Sequence, residues 1–393
     1  MKMQRESFME TLRNDRVLNA YPKGVKVSWD QIAAGKKAFK KNWEKLAVRV
    51  VVNLILPFIM LLMDIYMPIK FLWQHFTTKK QHIPSKRMFV GHDRRLYTIS
   101  DKNKLIKKDD IWLRLLCDTY SIPDDKIVVN IIDYVTPLEI IKSGIQAFII
   151  HIQTIQCLGY NMYFLSYKAF EWCITDYALR HVPENVELMY SYICDRFAIM
   201  IDKLPHREKT LIQHGTMHFG NNTLEIPYLE WHPEKGFYIW NSLYKSSPSK
   251  VYCFTETDKW ALANSVIQNE PEYICTGYGF KPAFKPKKKS ILIVGNYYIF
   301  AKKEEYLLKQ LQDLDIEIYL KNHPSHANSL YDEMRHKYRF NFIGGLDTNL
   351  PAVDLLISYD STLAYEYASI GTRVLYYGHF DIDNVHESLA NEL

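Results

Sequence analysis

Asp354-Leu355-Leu356-Ile357-Ser358-Tyr359-Asp360-Ser361-Thr362-Leu363-Ala364-Tyr365-Glu366 reads as an apolar strand that runs into a hydroxyl-rich turn, and the turn opens a helix. Ser361 or Asp360 stands where an N-cap is needed, and Gly371 ends the helix ahead of a further strand at residues 373–377. Repeated units of this kind build a parallel sheet with helices on both faces.

Working back from that unit, strands are expected at residues 290–294, 316–320 and 341–343, with helices at 302–314 and 329–338. Residues 281–289, Lys-Pro-Ala-Phe-Lys-Pro-Lys-Lys-Lys, break the alternation with two prolines and five lysines and read as a linker. Ahead of it the pattern resumes from about residue 88. Residues 126–134, Lys-Ile-Val-Val-Asn-Ile-Ile-Asp-Tyr, are a β-branched run of the kind a strand covered on both faces requires. A helix is expected after Pro137, strands at 162–166, 186–190, 209–213, 251–255 and 273–276, and helices from about 168, at 195–203 and from about 257. The expected architecture is α/β: two Rossmann-like, doubly wound domains, 88–280 and 290–393, facing across a cleft at the carboxyl ends of their strands, where such sheets bind ligands.

Residues 1–87 have a different character. Residues 1–90 hold 17 Lys and Arg against 6 Asp and Glu, a surplus of 11; with +5 for the whole chain, the remainder carries −6. Basic character confined to one end argues against nucleic acid as a partner, since a reader of nucleic acid needs its cations around the site. Within this basic segment, residues 46–73 form an apolar stretch whose longest uncharged part, Val50–Met63, is 14 residues. A straight membrane span needs about 20. Pro57 and Pro68 are expected to kink it, Asp64 is costly at a bilayer centre, lysines crowd both flanks, and Trp43 and Trp73 stand near the ends. An interfacial helix on an anionic cytoplasmic membrane surface accounts for these features together; a buried core helix with solvated basic flanks is the alternative. Six scattered cysteines without a Cys-x-x-Cys pair imply a reducing compartment.

Three clusters fall just past expected strand ends. In Leu211-Ile212-Gln213-His214-Gly215-Thr216, the histidine is a candidate general base, or a group that orients the acceptor. In Ile318-Tyr319-Leu320-Lys321-Asn322-His323-Pro324-Ser325, Lys321 and His323 offer donors to a phosphate, Asn322 can add a hydrogen bond, and Pro324 stops the strand. In the opening stretch, Ser358, Ser361 and Thr362 surround a helix start suited to an anion, and Glu366, a turn further on, can reach a ribose hydroxyl. Each cluster also has a bland reading: a loop histidine, an ordinary strand-end turn, and helix capping.

His-Gly at 214–215, His-Pro at 323–324 and Ser-x-x-Ser-Thr…Glu at 358–366, in that order, resemble the GT-B glycosyltransferases of bacterial surface polysaccharide synthesis: capsular and lipooligosaccharide sialyltransferases, Kdo transferases and, more distantly, the CDP-glycerol teichoic-acid polymerases. The resemblance spans roughly residues 120–380. It implies that His323 contacts the donor phosphate, that Ser361 and Thr362, with Ser358, hold phosphate or nucleotide, and that Glu366 binds the ribose or base. His214 matches the histidine that serves as base in the teichoic-acid enzymes. The sialyltransferases use an acidic residue of the first domain instead, for which Asp133 is the candidate, so the base stays open between the two.

The implied partners are a nucleotide-sugar donor, CMP-linked with a Kdo- or sialic-acid-like sugar, and a glycan or lipid-linked acceptor at the cytoplasmic membrane face. No cofactor is implied. Asp313-Leu314-Asp315 and Asp381-Ile382-Asp383 match only a short Asp-x-Asp pattern, and Gly215 and Pro324 break the helix that His214/His218 or His323/His326 would need as ligand pairs, so no catalytic metal is expected. The other readings are a CDP-polyol phosphotransferase of teichoic-acid type, a sugar-nucleotide epimerase, and a non-catalytic membrane scaffold with this fold.

Overall fold

The computed structural model describes residues 8, 10, 12, 46–78, 85–91, 94–115, 123, 125–158, 169–191, 196–205, 207–213, 215–220, 228–295, 301–323, 331–345 and 347–377. It is an α/β protein with two fully parallel sheets. In chain order the strands are β1 (Arg87–Val90), β2 (Ile111–Arg114), β3 (Ile127–Asn130), β4 (Glu187–Tyr190), β5 (Lys209–Ile212), β6 (His218–Phe219), β7 (Leu229–His232), β8 (Phe237–Trp240), β9 (Lys250–Cys253), β10 (Glu272–Cys275), β11 (Ser290–Val294), β12 (Glu317–Lys321), β13 (Asn341–Ile343), β14 (Leu355–Ser358) and β15 (Arg373–Tyr376). The first sheet has the order β10-β9-β5-β4-β1-β2-β3, the second β13-β12-β11-β14-β15, and β6-β8-β7 form a small third sheet. Contacts divide the chain into two units, one holding 47–217 and 239–277, the other 218–238 and the chain from 278 onward.

The second sheet shows why its strands were legible as unbroken apolar runs. Ile291 and Ile293 of β11 enter one core with Leu320, Leu355, Ile357 and, from the helices Ala301–Gln310 and Asp332–Lys337, Leu307, Leu308 and Met334. Their neighbours Leu292 and Val294 enter the opposite core with Tyr319, Leu356 and, from the helix Thr362–Ala368, Ala364 and Tyr367. Alternate residues thus bury on opposite faces, and a sheet wound on both sides leaves no face for polar residues. Every residue of β11 and β14 is buried. Ahead of β11, Ala283 N donates to Leu350 O and Ala352 N to Phe284 O, both at 2.7 Å.

The first unit departs from the sequence reading in three places. The expected strand at 126–134 stops at Asn130, and Ile131–Tyr134 form a 3-10 turn. The cause is local: the Asp133 carboxylate accepts from Asn130 N at 3.1 Å, offering that amide a partner other than the ladder. Asp133 therefore stands in a turn rather than at a strand end. Second, β1 and β2 flank a helix, Arg94–Lys102, none of which the sequence announced. They are joined by Arg87, whose Nε donates to Asp110 Oδ1 at 2.9 Å and whose Nη2 donates to Asp110 Oδ2 at 2.7 Å and to Leu105 O at 2.5 Å. Third, the apolar segment is one 32-residue helix, Leu46–Thr77, that continues without a break through Pro57 and Pro68. The expected strand at 162–166 lies outside the described residues.

The helix Leu46–Thr77 is held from beneath. Phe71 meets Phe170 edge to face at 5.5 Å, and Asp64 pairs with His151 of the helix Pro137–Leu158 at 2.9 Å. Gly144 lies so close to the first helix that a Cβ there would come within 2.4 Å of Pro68 Cγ. Burial raises the Asp64 carboxyl above its ordinary value, and the His151 ring opposes that shift.

Candidate functional site

In the second sheet the chain steps outward from β11 to β12 and β13 on one side, and through β14 to β15 on the other. The strand order reverses between β11 and β14, and in doubly wound sheets ligands bind beyond the carboxyl ends of the strands at that point. Three chain segments of this unit end there: Gly295 after β11, Lys321–His323 at the end of β12, and Ser358–Ser361 at the end of β14.

Gly295 marks a close approach. Its N–H donates to Lys321 O at 2.8 Å, and an added Cβ would stand 2.4 Å from Tyr331 Oη and 3.1 Å from Lys321 O. Tyr331 cannot readily yield, because its hydroxyl donates to the fully buried Glu304 carboxylate at 2.5 Å. Burial and that carboxylate hold the phenol far above its ordinary range, so it stays a neutral donor. Tyr359, the residue after β14, stacks on Tyr377 at 4.3 Å in the same core. Gly295→Ala is expected to cost about 1–3 kcal/mol through overpacking. Urea unfolding of the variant would measure it.

At the end of β14 the buried Ser358 places its Oγ 3.0 Å from Ser361 Oγ. Ser361 is the N-cap of the seven-residue helix Thr362–Ala368: its backbone is extended, and its side chain accepts from Ala364 N at 3.3 Å. Asp360 accepts from the Tyr365 hydroxyl at 2.7 Å, and burial followed by this carboxylate drives that phenol far upward. Thr362 and Glu366 are half-buried on the first turns.

His218, which the sequence offered only as a discounted metal partner of His214, and Gly220, which it did not single out, also reach this turn. The ring of His218 in β6 lies 4.7 Å from the Tyr365 ring, and a Cβ at Gly220 would stand 3.6 Å from Asp360 Oδ2. The segment that follows the His-Gly motif therefore packs on the Ser-x-x-Ser-Thr turn, inside one unit. No local pattern announces this contact, because its two sides lie 140 or more positions apart in the sequence.

At the end of β12 the buried Lys321 ammonium donates to the carbonyls of Gly344 and Gly345, each at 2.6 Å, and so holds the loop after β13. Asn322 is fully buried, with its N–H on Ile343 O at 3.0 Å, and His323 follows half-buried. β12 and β14 flank β11, so their ends lie two strand spacings apart, roughly 10 Å.

Of the remaining expected residues, His214 and Pro324 lie outside the described residues, and Asp133 belongs to the first unit. Among the described residues no group of three His, Cys, Asp or Glu is arranged to hold a metal ion. Asp315 pairs with Lys288, while Asp381 and Asp383 lie outside the described residues.

No family model matches the chain, and no curated protein does. Among solved structures, two of the wall teichoic acid polymerase TagF with CDPG soaked in are similar. One has 11% identity over 88% of this chain and 82% of that chain, at a TM-score of 0.42. The other has 11% identity over 84% and 80%, at 0.39. Acinetobacter baumannii MurG is similar at 10% identity over 78% of this chain and 90% of that one, with a TM-score of 0.34. Scores this low bear on neither residue roles nor chemistry.

Proposed function

We propose that the chain is a metal-independent glycosyltransferase of the GT-B kind, and that it takes its nucleotide-activated donor at the carboxyl end of the second sheet. One observation carries this reading. At the point where the strand order reverses, a turn holding Ser358, Asp360, Ser361 and Thr362 follows β14, and on the other side of β11 the strand β12 ends in a buried cation with a histidine two residues beyond it. Hydroxyls, an imidazole and a buried ammonium suit a phosphate-bearing ligand.

In this reading His323 and Asn322, with Pro324 fixing the backbone, contact the donor phosphate. Lys321, engaged with two carbonyls, supports them through its charge. Ser358, Ser361 and Thr362 hold phosphate or nucleotide, and Glu366 takes the ribose. The donor is CMP-linked, with a Kdo- or sialic-acid-like sugar, and the acceptor is a cell-surface glycan or lipid-linked intermediate at the cytoplasmic membrane face. His214 or Asp133 accepts the proton of the acceptor hydroxyl as its oxygen attacks the anomeric carbon. The C–O bond to phosphate then breaks, and the departing anion is stabilised from the donor side.

A thermal-shift comparison of CMP, CDP, UDP and GDP tests the proposal. At about 100 times its Kd a ligand stabilises the folded chain by about 2.7 kcal/mol. The cytidine nucleotides are expected to give the largest shift. Preference for UDP would remove the CMP-linked donor, and no shift with any of the four would remove the donor site itself.

A further inference from the structure

The helix Pro137–Leu158 buries a mixed polar and apolar face and exposes an apolar one. Toward the protein it buries Ile140, Ala147 and Ile150 together with Ser143, Gln146, His151 and Thr154, while Leu138, Ile141, Ile145, Phe148 and Ile152 are between 41% and 58% exposed. The exposed set recurs at intervals of three and four, so it forms one continuous helical stripe. The helix Leu46–Thr77 carries a second stripe: Phe58, Leu62, Ile65, Ile69, Trp73 and Phe76 are between 62% and 72% exposed, while Met60, Asp64 and Phe71 are buried.

The two helices touch at their inner residues. His151 pairs with Asp64 at 2.9 Å, and Gly144 lets Pro68 approach. Ile145 on one side of this crossing, and Ile65 and Ile69 on the other, are the exposed neighbours of those contact residues. An apolar stripe on a single helix is common; two on helices joined by a buried polar pair make a surface that water does not favour.

We infer that these helices together form a surface that docks in the plane of an anionic lipid bilayer, with the helix Pro137–Leu158 as a second insertion element that the sequence did not suggest. The inference rests on the proposed enzyme of the membrane face. Charge complementarity selects the occupant. The first helix lies in the part of the chain that holds 17 Lys and Arg against 6 Asp and Glu, and Lys79 and Lys80 follow within three residues of its end in the sequence, with Lys86 further on. An apolar face flanked by lysines fits acyl chains below and anionic headgroups beside it. A second copy of this chain would bring the same surplus of positive charge against itself. Among the described residues no helix is long and apolar enough to cross a membrane.

The test uses the full chain and flotation with phosphatidylcholine vesicles, with and without phosphatidylglycerol. The chain is expected to float with the anionic vesicles, and more weakly with the neutral ones. The double variant I145E/F148E is expected to lower the bound fraction at least about tenfold. Both side chains are exposed, so its circular dichroism and its nucleotide-induced thermal shift should match those of the unaltered chain. That second readout separates this inference from the donor site: a chain that floats but binds no nucleotide sinks only the latter. Failure of the unaltered chain to float overturns the inference. So does equal flotation of the double variant, or a variant that merely turns a dimer into a monomer in sedimentation with flotation unchanged.

Discussion

His323→Ala is expected to lower kcat/KM for a cytidine-linked donor by a factor of about 10²–10³, the usual cost of removing one aimed donor from the place where charge develops. The histidine stands two residues past the end of β12 and is half-buried. The backbone of its predecessor Asn322 is fixed on Ile343, so the ring is displayed by a rigid strand end rather than by a free loop. Donor cleavage puts negative charge on the leaving phosphate, and a donor held in place gains more there than in the ground state. The loss should therefore fall mainly on kcat. The urea midpoint should stay near that of the unaltered chain, because the ring is not part of either core of the second sheet. His323→Gln, which keeps a donor, should recover part of the rate. A loss of rate that tracks loss of stability would refute the assigned role.

Asp110→Ala is expected to cost about 3–5 kcal/mol, as breaking a buried ion pair from one side does. The carboxylate is nearly inaccessible and accepts from both Nε and Nη2 of Arg87, and its Oδ2 also takes Lys107 N at 2.6 Å. Its removal strands a guanidinium at the start of β1 and frees the turn that leads into β2. Those two strands pair with each other and lie between β4 and β3, so the damage reaches the interior of the seven-stranded sheet. Asp110→Asn keeps the shape and one acceptor, and should lose less. Urea unfolding of both variants would check the ordering; a cost below 1 kcal/mol for the alanine variant, roughly that of an exposed pair, would show that the pair is not buried in solution.

The ease with which each part was read follows from where its information lies. β11 and β14 are buried on both faces, so Ser290–Val294 and Leu355–Ser358 advertise themselves as apolar runs. β1 and β2 are four residues each, with Arg87 and Arg114 at their ends, and their pairing is fixed by an ion pair across more than twenty residues. Periodicity over a short window holds none of that. The same division applies at the candidate site. Ser361 as a cap is written in the four residues around it, whereas the anchoring of Lys321 on Gly344 and Gly345, and the packing of His218 on Tyr365, depend on partners distant in the chain. The residues 126–134 misled for the opposite reason: a good β composition was overruled by one aspartate bonding back to the chain three residues before it.

One feature of the chain path bears on how the protein can be cut. The second unit borrows His218–Tyr238 from the middle of the sequence; the His218 ring packs on Tyr365, and Phe237 packs on His218 in turn. A recombinant fragment beginning at Tyr278 would keep all five strands of the second sheet and the Tyr278 and Tyr376 rings, yet lose the His218 ring from Tyr365 beside the Ser-x-x-Ser-Thr turn. Splitting this polypeptide at the lysine-rich stretch before β11 does not yield two self-sufficient halves.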